Sequence, residues 1–273
     1  MKNNKFSVLM SVYINENPIN FEVALNSVFE QTLVPAEVIL VEDGKLTDAL
    51  YQVISNFKNK HAEIFKTHPL KKNVGLGNAL RIGLLQCSHE LVLRMDTDDI
   101  CINNRFEKQI SFMNDNPSID LVGGWIAEFK TDMRKINGYR KVPETDKAIK
   151  KFHRKRNAIN HMTVAFKKSK VIEAGSYEDL PYFEDYYLWA KMMQKGMLFY
   201  NFQESLIYAR VGNDMIGRRH GWAYVKKEYH LIKQFKKIGF ITNFEFIKMI
   251  LTRFPIRMLP KPILSKVYNL YIR

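Results

Sequence analysis

Glu90-Leu91-Val92-Leu93-Arg94-Met95-Asp96-Thr97-Asp98-Asp99 runs an apolar segment straight into three carboxylates within four positions. A short Val/Leu-rich run of this kind suits a buried parallel strand, which places the acids at the strand's carboxyl end. Like charges that close together cost repulsion and desolvation unless a cation offsets them. Hard carboxylate oxygens select Mg²⁺ or Mn²⁺, ions that complete their shells with water and substrate phosphates. A metal-diphosphate site is the economical reading. The alternative is an acidic turn capping a helix that begins near Asn103.

Outward from this stretch, the first 130 residues alternate strand and helix patterns. Phe6 to Ile14 and Ala36 to Glu42 are further buried-strand runs. Phe21, Ala24, Leu25, Val28 and Phe29 fall at helical spacing, as do Leu80, Leu84 and Leu85 after Asn73-Val74-Gly75-Leu76-Gly77. Such βα units predict an α/β, Rossmann-like half-domain, whose ligands bind beyond the carboxyl ends of the strands. Glu42-Asp43 closes a second strand with acids. A dinucleotide fingerprint is excluded: G-x-G-x-x-G needs a third glycine and a place after the first strand. The run Phe6 to Ile14 is read as a strand and not a signal peptide, because Asn15-Glu16-Asn17-Pro18 follows with no small-x-small cleavage site.

Beyond residue 130 the patterns weaken. Ile119 to Phe129, Met162 to Phe166 and Leu198 to Arg210 read as strands, Glu184 to Met193 as a helix, and residues 222–238 as a basic helix. Pro255, Pro260 and Pro262 are expected to interrupt any long helix after Phe240. The 273 residues carry a net charge of +14, unevenly placed: residues 147–172 hold nine basic side chains and no acids, and residues 215–273 hold thirteen against two. A polyanionic partner follows. Two cysteines, Cys87 and Cys101, lack metal-type spacing, and no apolar run is long enough to span a membrane.

Taken together, Ser7 to Tyr13, Val41-Glu42-Asp43-Gly44, Asn73 to Leu80, Asp96-Thr97-Asp98-Asp99 and Phe183-Glu184-Asp185-Tyr186-Tyr187-Leu188-Trp189 resemble the family 2 glycosyltransferases of GT-A fold. Five motifs in the right order cover residues 6–210. Asp43 to Thr47, Met95 to Cys101 and Arg210 to Gly221 are similar to the bacterial O-antigen and exopolysaccharide enzymes of the amylovoran-synthesis type. The resemblance implies a nucleotide-binding half over residues 1–100 and an acceptor-binding half over 101–221, with a mixed central sheet. Residues 222–273 would then be a basic helical extension.

Carried over by position, the resemblance implies that Ser11, Tyr13 and Glu16 border the nucleotide and that Asp43 accepts the uracil imide N–H, a role an acceptor-only carboxylate suits. Asn73 and Gly75 form the loop entering the next helix, and Arg81 is a candidate phosphate contact. Asp96 lies near ribose and metal, Asp98 coordinates the divalent cation, and Asp99 stands beside them. Asp185 matches the catalytic base, with Glu184 next to it. Many relatives carry a second acid where this chain has Tyr187. His161 matches a position near sugar and acceptor. Arg218 and Arg219 present planar donor forks suited to a donor or acceptor diphosphate.

The resemblance thus predicts an inverting, Mn²⁺- or Mg²⁺-dependent enzyme moving a hexose, glucose or galactose favoured, from a UDP-sugar to an undecaprenyl-diphosphate-linked saccharide. Its place would be the inner face of the bacterial inner membrane. Phe240, Ile241, Phe244, Phe246, Ile247, Ile250, Leu251 and Phe254 interleave with Lys248, Arg253, Arg257, Lys261 and Lys266, a pattern suited to an anionic membrane surface. Two rivals fit less well. A sugar-nucleotide nucleotidyltransferase would favour a glycine-rich basic loop after the first strand, and Ser11 to Asn20 has no Gly, Lys or Arg. A nucleic-acid-binding protein leaves the acidic strand ends unexplained.

Overall fold

The computed structural model of the chain describes residues 4–212 and 219–260. Four parallel strands form its first half: β1 (Phe6–Val12), β2 (Glu37–Glu42), β3 (Phe65–Pro69) and β4 (Leu91–Arg94), in the order β3-β2-β1-β4. Helices α1 (Pro18–Phe29), α2 (Asp48–Lys60) and α3 (Leu76–Gln86) connect them. After β4 come β5 (Ile100–Cys101), α4 (Arg105–Asp115), β6 (Leu121–Phe129), β7 (Ile136–Arg140) and α5 (Asp146–His153). A 3₁₀ turn at His161–Thr163, β8 (Ala165–Lys167), α6 (Lys168–Glu173), α7 (Glu184–Gln194) and β9 (Phe199–Arg210) follow. β8 runs antiparallel between β4 and β6, so one mixed sheet joins the two halves.

Side-chain alternation sorts the core onto two faces. Val8 and Met10 of β1 pack with α1, α2 and α4 residues such as Phe21, Ile54 and Phe106. Leu9 between them packs on the other face with Leu80 and Leu84 of α3 and with α7 residues such as Trp189. Covering both faces explains why the parallel strands read as near-continuous apolar runs. On the second face, α8 (Gly221–Lys237) and α9 (Asn243–Met258) contribute Leu231, Ile232, Phe235 and Met249 to the same cluster. Thr242 caps α9: its hydroxyl accepts from Glu245 N at 3.2 Å, and the Glu245 carboxylate accepts from Thr242 N at 2.8 Å.

Three sequence expectations need correction. The strand expected from Met162 starts only at Ala165, because Asn160 to Thr163 closes a turn in which the Thr163 hydroxyl and backbone N–H both bond the Asn160 carbonyl. Pro255 lies inside α9; it stands in the last turn, so little helix remains beyond the backbone bond it deletes. Leu85 is exposed, one residue past the buried face of α3.

Candidate active site

The sheet brings three strand ends together. Asp43 N donates to the Val12 carbonyl at 2.8 Å, and Met95 N to the Leu9 carbonyl at 3.1 Å, so the segments after β1, β2 and β4 leave side by side. Ser11 is half-buried in β1 and Tyr13 is exposed just beyond it. The buried Asp43 carboxylate accepts Val74 N at 2.7 Å and Gly75 N at 3.1 Å, and Asn73 Nδ2 donates to the Asp43 carbonyl at 3.3 Å. This acid therefore fixes the loop entering α3. Gly75 caps α3 at φ +83°, a conformation that disfavours side chains. At Gly77 the close approach is to protein: a Cβ there would meet the Glu178 carbonyl at 2.5 Å. Arg81 is exposed farther along α3.

After β4, one carboxylate oxygen from each of Asp96, Asp98 and Asp99 can be chosen so that all lie within 4.8 Å of one another. The Thr97 hydroxyl donates to Glu16 at 2.6 Å, tying this loop to the one after β1. The buried Asp99 accepts Arg210 N at 2.9 Å, which anchors the loop to β9. Burial, then the charges of Asp96 and Glu16, push Asp98 up to about 7, and burial and the neighbouring aspartates raise Asp99 as well. A hard divalent cation fits this donor set, since it offsets the repulsion that raises both acids.

The cation already present is Arg94. Only 2% exposed, it bonds the Asp96 carboxylate through Nη2, and its Nε and Nη1 are buried without a protein hydrogen-bond partner. It lines a cavity of about 570 Å³ together with Asp96, Asn157, His161, Glu184 and Asp185. The two acids open α7, where the helix N-terminus favours anions. Burial opposes that: Asp185 is raised above the usual carboxylate range, against a 2.7 Å hydrogen bond from Asn157 Nδ2. Burial and the Asp185 charge push Glu184 up to about 7. His161 contacts the Tyr177 hydroxyl at 3.0 Å, and burial, then Arg94, hold its pKa well below the ordinary value, so the ring is neutral. Tyr182, on the cavity lining, takes φ +77°, a strained value for a non-glycine residue.

Most of the expected residues thus converge, but in two groups. Asp96, His161, Glu184, Asp185 and Arg219 line the cavity; Ser11, Tyr13, Glu16, Asp43 and Asn73 stand at the strand ends and, like Arg81, are not on its lining. Arg218 lies outside the described residues. Arg94 and Asn157 were absent from the sequence-based site. A charge inside an apolar strand was the available signal for Arg94; Asn157 offered none. Arg253 and Arg257, expected to face lipid headgroups, instead turn inward onto Glu228, at 3.0 and 3.1 Å.

Comparison with known proteins agrees with this architecture. Residues 7–174 match the family model for glycosyl transferase family 2. An uncharacterized glycosyltransferase of Haemophilus influenzae is 44% identical over 98% of this chain and 99% of its own length. The amylovoran biosynthesis glycosyltransferase AmsE of Erwinia amylovora is 41% identical over 97% and 98%. A UDP-Gal:α-D-GlcNAc-diphosphoundecaprenol β-1,3-galactosyltransferase of Escherichia coli is 37% identical over 98% and 97%. Among solved structures, S. aureus TarS 1-349 in complex with UDP-GlcNAc superposes with a TM-score of 0.68 at 17% identity, over 98% of this chain and 76% of that one. In another S. aureus TarS structure, at a TM-score of 0.64, this chain spans 46% of the TarS chain. At that identity the likeness concerns fold, the GT-A arrangement of a mixed sheet between helices. Sequence and structure together place this chain in glycosyl transferase family 2.

Proposed function

We propose that the protein is an inverting, metal-dependent transferase that moves a hexose from a UDP-sugar to a lipid-diphosphate-linked saccharide in bacterial O-antigen or exopolysaccharide synthesis. The observation that carries this reading is one cavity holding a half-buried carboxylate raised above its ordinary range, Asp185, and the first acid of the Asp96–Asp99 cluster. Support for the substrates comes from the E. coli relative, whose name specifies a UDP-galactose donor and a GlcNAc-diphosphoundecaprenol acceptor.

On this reading Tyr13, Glu16 and the Asn73–Gly75 loop border the nucleotide. Asp43 retains acceptor capacity on each oxygen after binding the loop, enough for one uracil imide. Asp96 and Asp98 would hold Mn²⁺ or Mg²⁺, which when bound neutralises charge on the departing nucleoside diphosphate. Arg94 keeps Asp96 in place and offsets the surrounding acids. Asp185 accepts the proton from the acceptor hydroxyl as that oxygen attacks the anomeric carbon; burial strengthens it as a base, and Asn157 orients it. The outer face of α9 rests on the anionic inner surface of the membrane; among the described residues no helix is long and apolar enough to cross it.

Incubation with UDP-sugars, Mn²⁺ and a GlcNAc-diphosphate-lipid analogue should release UDP and yield a disaccharide identifiable by mass spectrometry and NMR. Pyrophosphate release would instead indicate a nucleotidyltransferase. Asp185→Asn should abolish turnover while retaining UDP binding, whereas Asp98→Ala should lose the Mn²⁺-dependent part of UDP affinity. Near-normal turnover in the first variant, or unchanged Mn²⁺ dependence in the second, removes that residue from its role.

A further inference from the structure

The sequence concentrates nine basic side chains and no acids in residues 147–172, and the donor site uses none of them. Two, Lys155 and Arg156, line the cavity that contains Asp185. So do Arg140 at the end of β7, Arg219 before α8, and Arg253 and Arg257 of α9. With Arg94 these six make seven cations on a lining that holds five carboxylates, Asp96, Glu128, Glu184, Asp185 and Glu228, and the charge of Arg140 acts on Asp185. Glu228 is fully buried and held by Arg253 and Arg257, and Arg253 Nη2 also donates to the Lys155 carbonyl at 2.6 Å. Helix α9 therefore braces the segment that presents Lys155 and Arg156.

That same segment continues into Asn157, whose amide bonds Asp185. Lys155 and Asn157 are two residues apart, so their Cα atoms lie at most about 7 Å from each other. The donor's own diphosphate is accounted for by the Asp96–Asp99 cluster at the strand ends. An excess of cations on a lining shared with the base suits a second anion, and a saccharide carried directly on a diphosphate brings its charge into the same cavity as the attacking hydroxyl.

We infer that the wall formed by Lys155 and Arg156, backed by Arg253 and Arg257, is the subsite for the acceptor's diphosphate, with the acceptor sugar lying between it and Asp185. This rests on the lipid-diphosphate reading of the acceptor. It also makes α9 part of the active site. Guanidinium and ammonium donors on a phosphate form charge-assisted hydrogen bonds, the strong class.

The test compares GlcNAc-diphosphate-lipid analogue with GlcNAc on a neutral alkyl aglycone, using the full chain. Wild type should prefer the diphosphate in kcat/KM, and Lys155→Ala/Arg156→Ala should reduce that preference by about tenfold or more. Lys155→Glu, at an exposed side chain, should reduce it too. Mn²⁺-UDP affinity measured by calorimetry should stay unchanged in both variants. An undiminished preference overturns the subsite while leaving the acceptor class standing. A parallel fall in UDP affinity assigns these cations to the donor, and loss of sedimentation with phosphatidylglycerol vesicles at unchanged preference assigns them to headgroups; either result overturns the inference. No preference in wild type itself overturns the acceptor class and the subsite with it.

Discussion

Glu184 and Asp185 are neighbours at one helix start, and burial raises both, yet they answer to different partners. Asp185 receives the Asn157 amide, while Glu184 is pushed up to about 7 by burial and by Asp185 itself. The unfolded chain releases the Glu184 proton near 4.5, so between pH 4.5 and about 7 the folded state holds a proton that the unfolded state has lost. Ionising Glu184 therefore weakens the fold progressively through that window, and the loss is complete above it. Gln is a neutral isostere. Glu184→Gln should match wild type in thermal stability at pH 4, gain through pH 4.5–7, and hold a constant advantage above. The advantage should be a few degrees, since about 1 kcal/mol moves Tm by roughly 2–4 °C in a chain approaching this size. Metal-free thermal unfolding across pH reads this directly; a gain independent of pH would show that packing, not charge, separates the two proteins.

At the scale of elements, the polar contact between α8 and α9 centres on one acid. Glu228 has no exposed surface and accepts Arg253 and Arg257, which in turn lie over the rings of Tyr186 and Tyr224. Glu228→Ala leaves two guanidiniums facing each other across an inward site, and breaking a buried ion pair on one side costs about 3–5 kcal/mol. Urea unfolding should show a drop of that order, and an effect below about 1 kcal/mol would mean that α9 docks through its apolar face alone. Nothing in Lys226-Lys227-Glu228 distinguishes this acid from a solvated helix face. The first half of the site was legible because its parallel strands, buried on both faces, end in side chains that chemistry must explain: Asp43 and Asp96 to Asp99. β3, Phe65–Pro69, was not legible, since Phe-Lys-Thr-His-Pro has no Val/Ile run. The acceptor side was least legible of all. Arg140, Lys155 and Arg253 come from β7, the segment after α5, and α9, and tertiary packing alone makes them neighbours.

Across the whole molecule the surplus of +14 divides by direction rather than by segment. Lys150, Arg154, Lys167 and Lys170 are paired with Asp146, Glu245, Asp120 and Glu173, and the α9 arginines face inward, so Lys248 is the basic side chain α9 turns outward. What that outer face does present is apolar: Phe244, Ile247 and Leu251, at 73%, 55% and 68% exposure, follow one another at helical spacing. Phe246, Ile250 and Phe254, which the sequence placed in the same stripe, pack against the core. On the proposed membrane reading, affinity would come more from insertion of the apolar stripe than from the attraction of headgroups to α9, so salt should weaken it only in part. Removing everything after Gly239 is a poor test, because Met249 belongs to the core and the loss would unfold the second face. Phe244→Asp/Leu251→Asp touches only exposed positions. Burying a large apolar side chain is worth roughly 1.5–3 kcal/mol, so the pair should lower the affinity for phosphatidylglycerol vesicles at least about tenfold, with thermal stability retained. Sedimentation of the double variant at wild-type levels would sink the membrane assignment of α9.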